Sequence, residues 1–348
     1  MAEKTRSSGV AEETSESALR ASGGSMPVVS LRKQLRRHAL TVATLGIAVV
    51  IWLAFLVAAP DVFLNSRIYS AFATTTPLFA MIALALTLVV ITREMDLSFG
   101  SVMALAMVGF VKTIDYTGNV LLSVLACLVV GVVCGLINGY LVAILGIPSL
   151  VITLGTLFFF RGIELVLLDG RPVVLRDPEI EGLRDALNGR VFDIPNELLW
   201  TLAVAIVLWM VLNRTRFGAH VFLVGDNPVS AQLMGVRVAR VKIATFVIVG
   251  VIAAFTGLMT AMQLATLFPT LGDGTLLQPI ASVFLGGTSV FGGTGSITGT
   301  FVGSFIIGSI NAGVISAGIQ GFYTQLFFGL VIILSLVLQT LISRRMRH

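Results

Sequence analysis

Charge is scarce in this chain. Of its 348 residues only 12% are Asp, Glu, Lys or Arg, while 56% are hydrophobic; soluble domains carry roughly a quarter charged residues. So few charges cannot coat a water-soluble globule of this size, and a disordered chain would lack the abundant Leu, Ile, Val and Phe. Cysteine is scarcer still. Cys127 and Cys134 both sit in one apolar run, which excludes a disulfide framework and a CxxC metal site. His38, His220 and His348 have no His or Cys at metal-ligand spacing, and no serine occupies a G-x-S-x-G elbow. A G-x-x-x-x-G-K-[ST] phosphate loop is also missing, because the run Gly286 to Gly295 has glycines but no lysine. No catalytic residue, metal site or bound cofactor is therefore expected, and if ATP drives the protein, ATP and Mg are held by another chain.

What is present is a series of long apolar runs, the mark of an all-α polytopic membrane protein. Ala39 to Ala59 is long enough to cross about 30 Å of hydrocarbon and too long for the apolar core of a cleaved leader. A window of about 19 residues gives further spans near 68–92, 97–112, 120–145, 147–168, 197–213, 243–263, 276–291, 296–317 and 321–343. About ten transmembrane helices are thus predicted. Spans 97–112 and 276–291 are short and glycine-interrupted, as transporter segments are where backbone lines a cavity.

Basic residues orient these spans. With the 1–38 tail cytoplasmic, 16 of the 23 Lys and Arg fall inside: seven in that tail, Arg93, five in loop 214–242 and three in the 344–348 end. Segment 169–196 falls outside, on the periplasmic face, with six acids against four Arg. The expected organisation is a disordered cytoplasmic tail over 1–38, a transmembrane domain over 39–343 and a cytoplasmic end, with both termini inside.

An internal echo supports an even count. Gly135-Leu-Ile-Asn138-Gly followed by Gly146-Ile-Pro recurs as Gly308-Ser-Ile-Asn311-Ala followed by Gly318-Ile-Gln, and Asp96-Leu-Ser98 is fainter kin of Asp273-Gly-Thr275. The two halves run in opposite directions, so the echo reads either as an inverted five-helix repeat with the substrate path at its interface or as a chance likeness between glycine-rich apolar helices. Asn138 and Asn311 either bond between helices or border that path.

Other candidates are local. Asp96 and Ser98 suit the N-terminus of the third helix, and with Gly100 they can also form a hinge. Pro148 suits a first helical turn, and the helix that follows puts Thr153, Thr156 and Phe160 on one face. Hydroxyls beside an aromatic suit a neutral polyhydroxylated solute; the same spacing also serves helix packing. Arg161 and Glu164, three apart, can pair. In loop 214–242, Asp226 or Asn227 can cap, Pro228 opens a short helix through Ser230 and Ala231, and Gly235 can end it. Leu233 and Met234 on that exposed helix want a partner surface, or else the basic loop lies on anionic lipid.

Four stretches together resemble a known family: Asp96-Leu-Ser-Phe-Gly-Ser101; Pro148-Ser-Leu-Val-Ile-Thr-Leu154 leading to Phe160-Arg-Gly162; Gly225-Asp-Asn-Pro-Val-Ser-Ala231 leading to Gly235; and Leu285-Gly-Gly-Thr-Ser-Val-Phe-Gly-Gly-Thr-Gly-Ser296. The family is that of inner-membrane permeases of ribose-type (ribose, xylose, arabinose) monosaccharide ABC importers, and the likeness runs from about 40 to 343. It implies a fold similar to the cobalamin-importer membrane subunit and a homodimeric pore fed by a periplasmic sugar-binding protein. It also implies a cytoplasmic ATP-binding subunit on a coupling helix at 226–235, with no nucleic acid among the partners. The family's usual Gly- or Ala-rich lead into Asp-Leu-Ser is Arg93-Glu-Met here. A permease for branched-chain amino acids or nucleosides, and a stand-alone secondary transporter or channel, are the alternatives.

Overall fold

The computed structural model describes residues 52–53, 56–57, 60–175, 180–316 and 323–345. The predicted tail 1–38, nearly all of the first predicted span and residues 346–348 lie outside them. The described chain is helical, with four two-residue strands. A short α1 (Pro60–Phe63) precedes α2 (Ser66–Ile91), α3 (Phe99–Thr117), α4 (Val120–Ala143) and α5 (Ser149–Leu167). A segment of short elements follows with β1 (Val173–Val174), α6 (Glu181–Asn188), β2 (Arg190–Val191) and β3 (Ile194–Pro195). Then come α7 (Asn196–Arg214), α8 (Arg216–Asp226), α9 (Pro228–Leu233), α10 (Val238–Leu264), β4 (Thr266–Leu267), α11 (Leu277–Leu285), α12 (Ile297–Ser316) and α13 (Tyr323–Arg345).

Seven of these helices are long and apolar enough to cross a membrane, namely α2, α3, α4, α5, α7, α10 and α12; α13 adds a shorter apolar stretch, Tyr323–Leu334. Each span predicted from 68 onward falls on a helix, with one difference in kind. The 276–291 span is helical only over Leu277–Leu285, because Gly286 and the left-handed Gly287 (φ 83°) end it. Nine residues rise about 13 Å, under half of a hydrocarbon core.

α2 is the central helix, buried on all sides from Ala80 to Ile91 and packed against α7, α10, α11 and α12. α4 and α5 carry much of the outward apolar surface, including Leu125, Val129, Phe158 and Phe159. The tightest packing joins α4 to α10. Gly131, Gly135 and Gly139 form a stripe on α4, and a Cβ added to Gly131 would stand 2.4 Å from the Gly250 carbonyl oxygen. Small residues at four-residue spacing let two backbones meet where apolar side chains gain nothing by leaving lipid. Outside the bundle, β1 pairs antiparallel with β4, tying the 169–196 segment to the chain after α10.

Candidate functional site

The turn between α2 and α3 brings together four of the predicted site residues, Asp96, Ser98, Asn138 and Thr153. Asp96 is buried, and its Oδ1 accepts from the Ser98 backbone N–H at 2.8 Å and from Ser98 Oγ at 2.7 Å. Asp96 thus holds Ser98, the N-cap residue of α3, while neither side chain bonds to the N–H groups of the helix's first turn. Ser98 Oγ also accepts from Asn138 Nδ2 at 2.7 Å, so α4 is drawn to the same turn. Asn138 Oδ1 is buried without a hydrogen-bond partner. α5 arrives through Ser149, whose Oγ accepts from the Met95 N–H at 3.0 Å, and through Thr153 Oγ1, which donates within the helix to Ser149 O at 2.8 Å and to Met95 O at 3.4 Å.

Burial pushes the Asp96 carboxyl above the ordinary 3.8, against the lowering pull of its two Ser98 hydrogen bonds. None of those bonds comes from a basic side chain. Asp96 also borders a small cavity facing Ile280, Val283 and Phe284 of α11. At the far side of the turn, Gly100 packs backbone to backbone on Gly272, whose oxygen a Cβ on Gly100 would approach to 2.8 Å. The start of α3 therefore meets the loop ahead of α11 beside the polar cluster.

Thr153, Thr156 and Phe160 are all buried, on the inward face of α5, while Phe158 and Phe159 face outward. Thr156 Oγ1 turns back to Thr153 O at 3.4 Å and Phe160 joins the main apolar core, so these two pack. Asn311 does not reach the cluster. It sits partly exposed on α12, which packs against α2, α7, α11 and α13, whereas Asn138 lies on α4 against α3, α5 and α10.

On the predicted cytoplasmic side, Asn227 caps α9, its Oδ1 accepting from Val229 N at 3.0 Å and Ser230 N at 3.1 Å. Pro228 is the first helical residue and Gly235 (φ 84°) closes the turn after Met234. Asp226 is the last residue of α8 and Ala231 is buried under the helix. Leu233 is 85% and Met234 63% exposed.

Two arginines organise the site's surroundings in ways the sequence did not signal. Arg161 pairs with Glu164 at 2.7 Å as spaced, but it also donates to Pro269 O and Leu271 O at 2.7 Å and to Asp273 Oδ1 at 2.6 Å, holding the loop ahead of α11. Arg93 donates through Nε to Gly225 O at 2.6 Å and through Nη2 to Asp226 O, while its neighbour Glu94 is bonded by Lys242. The available hint was an arginine in, or at the edge of, an otherwise apolar run.

Comparison with known proteins identifies the family. The family model described as the permease component of the branched-chain amino acid transport system matches residues 68–336. The ribose import permease protein of Escherichia coli strain K12 is 30% identical over 80% of this chain and 87% of its own length. The fructose import permease protein of Rhizobium meliloti is 33% identical over 81% of this chain and 82% of its own. The autoinducer 2 import system permease protein of Photorhabdus luminescens is 32% identical over 76% and 79%. No solved structure matches. A bundle of membrane-length helices around a buried polar turn, with the family pattern running from α2 into α13, makes this chain a member of the branched-chain amino acid transport system permease family.

Proposed function

We propose that the protein is the membrane permease subunit of a binding-protein-dependent ABC importer that passes a monosaccharide or related polyol across the bacterial inner membrane. The observation that carries this reading is the buried hydroxyl and amide cluster of Asn138, Ser98, Asp96 and Thr153, in which Asn138 Oδ1 is left as a free acceptor. Sugar hydroxyls need paired donors and acceptors beside an apolar wall, and an amino acid would need a cation for its carboxylate that none of this cluster's hydrogen bonds supplies. The relatives named for ribose and fructose import support the same class.

A neutral solute gives the membrane potential nothing to act on, so ATP hydrolysed by a separate subunit drives the cycle; ATP and Mg belong to that subunit and this chain binds no cofactor. Its seat is the coupling helix, with Asp226, Asn227, Pro228, Ser230, Ala231 and Gly235 setting the geometry. A periplasmic sugar-binding protein delivers the solute, and a second permease copy completes the pore. Asp96, Ser98 and Gly100 form the hinge. Thr153 lines the path with Asn138, Thr156 and Phe160 back it, and Asn311 borders it from the other half. The tail 1–38 and the end at 344–348 are cytoplasmic and the permease domain is 39–343.

An inverted repeat of five helices, ten spans in all, fits the packing. Replacing α2, α3, α4 and α5 by α10, α11, α12 and α13 carries each packed pair onto another packed pair: α3 on α4 becomes α11 on α12, α3 on α5 becomes α11 on α13, α4 on α10 becomes α12 on α2. The close contacts follow. Cys127 Sγ meets Ala254 O and Gly135 meets Phe246, while an offset of 173 gives Thr300, which meets Thr87, and Gly308, which meets Thr76. Arg93 and Ala265, 172 apart, are both left-handed residues just past the ends of α2 and α10. We read this as the symmetry of the cobalamin-importer subunit type, with the polar cluster of the first half facing α11 of the second across the small cavity beside Asp96.

The test is reconstitution with the cognate ATPase and binding protein in liposomes, measuring uptake of labelled ribose, fructose and leucine. ATP-dependent uptake of a sugar is expected. Uptake of leucine alone would overturn the substrate class, and uptake without the ATPase would favour a stand-alone carrier.

A further inference from the structure

Arg93 is a residue other than glycine held at φ 68°. L-residues avoid this region because Cβ crowds the carbonyl, so a side chain kept there points to a task that the side chain performs. The task is visible in its partners. The guanidinium holds two successive carbonyls, Gly225 O and Asp226 O, in the last turn of α8, one residue ahead of the Asn227 cap of α9. A third segment crosses at the same place. Gly293 N donates to Ile91 O at 2.9 Å, and a Cβ on Gly225 would lie 1.8 Å from that oxygen. The α-carbon of Gly292 lies against the Arg93 side chain, with a Cβ there only 2.3 Å from Arg93 Cγ. The junction has no slack in which a movement of α9 could be absorbed. Three residues beyond Arg93 stands Asp96, bonded to Ser98 and through it to Asn138.

We infer that Arg93 is a positioning residue that transmits displacement of the exposed α9 helix to the Asp96–Ser98–Asn138 cluster. The inference rests on the proposed seating of an ATPase on α9. Motion of α9 pulls on the Gly225 and Asp226 carbonyls; the bidentate arginine carries that pull into the turn it belongs to, and the start of α3 moves with it. A lysine has one point charge and cannot grip two carbonyls at fixed geometry. A glycine suits the backbone and grips nothing.

The test uses the full chain with its ATPase in nanodiscs, and compares hydrogen exchange of the 94–102 backbone in the nucleotide-free complex and after trapping with Mg-ATP and vanadate. Wild type is expected to change exchange there by about fivefold or more between the two states. Arg93→Gly should bind the ATPase and melt no lower than wild type, since it relieves the left-handed strain, yet show no change over 94–102. Arg93→Lys should fall between. If Arg93→Gly changes like wild type, the transmission role is wrong while the importer reading stands. If wild type itself does not respond to the trapped ATPase, both fall together. If Arg93→Gly melts well below wild type and also loses ATPase binding, Arg93 is structural and the inference is overturned.

Discussion

Asn138 Nδ2 lies 2.7 Å from Ser98 Oγ, and this one bond ties the last third of α4 to the turn that opens α3. Because the serine hydroxyl in turn donates a hydrogen bond to Asp96 Oδ1, the three side chains form a single directed chain from amide to carboxyl group. Replacing Asn138 by Ala removes the only donor that α4 offers to Ser98 among the described hydrogen bonds, in a site closed to water. We expect a stability loss of about 1–3 kcal/mol together with at least a tenfold fall in uptake. Asn138→Asp should restore the acceptor but not the donor, and should remain impaired. Uptake and thermal unfolding measured on the same preparations decide this; normal uptake by Asn138→Ala would remove the residue from the path.

Asp96 gives a pH dependence with a definite sign. Its folded carboxyl holds its proton above the ordinary 3.8 because it is buried, so between that value and its raised one the folded state binds more protons than the unfolded state. Stability from this group is fully present at low pH and is lost as pH rises through that window. Asp96→Asn keeps an oxygen acceptor for Ser98 and cannot ionise. Thermal midpoints measured from pH 4 upward should therefore fall more for wild type than for Asp96→Asn; parallel curves would mean the carboxylate is fully stabilised where it sits.

Arg161 is bound to four acceptors, of which the Glu164 side chain is fully buried and that of Asp273 is 58% exposed. The two acids are not equivalent. Loss of the arginine strands a buried carboxylate, which costs about 3–5 kcal/mol, whereas the exposed partner is worth little. Arg161→Ala should accordingly be much less stable than Arg161→Ala combined with Glu164→Gln, and Asp273→Asn alone should be close to neutral. Unfolding of the three variants in one detergent checks the ranking. An Arg161→Ala protein as stable as wild type would show that the 269–273 loop holds itself.

The sequence was most legible where the chemistry is local. Asn227, Pro228 and Gly235 lie within nine residues, and cap, first turn and stop follow from their own backbone preferences. Arg161 and Glu164 pair because helical spacing puts them together. The apolar runs fixed helix positions to within a few residues, except where Gly286 and Gly287 cut α11 short. Long-range partners were not readable. Arg93 meets carbonyls 132 residues away in sequence, and the Ser149 hydroxyl meets a backbone N–H 54 residues back. In lipid, apolar periodicity carries little information about which face packs on which helix, since lipid and protein are equally apolar. Thr153 and Asn311 were equally plausible on sequence; only the packing of α5 and α12 separates them.

The α9 helix allows fold and function to be separated. Leu233 and Met234 project from it largely exposed, while Ala231 beneath is fully buried. Polar substitution of an exposed side chain removes no internal contact, so Leu233→Asp with Met234→Asn should leave the thermal midpoint within a degree or two, consistent with surface changes of about 0.5 kcal/mol. Ala231→Asp places a charge in the core beneath and should unfold the region. Gly235→Val acts differently again: open space surrounds the position, but φ 84° strains a β-branched residue, at about 1–2 kcal/mol. If α9 seats the ATPase, the Leu233/Met234 double variant loses co-purifying ATPase at least tenfold while remaining folded. If the loop lies on anionic lipid instead, that variant keeps its ATPase, and a folded protein with undiminished ATPase binding would move the coupling surface away from α9.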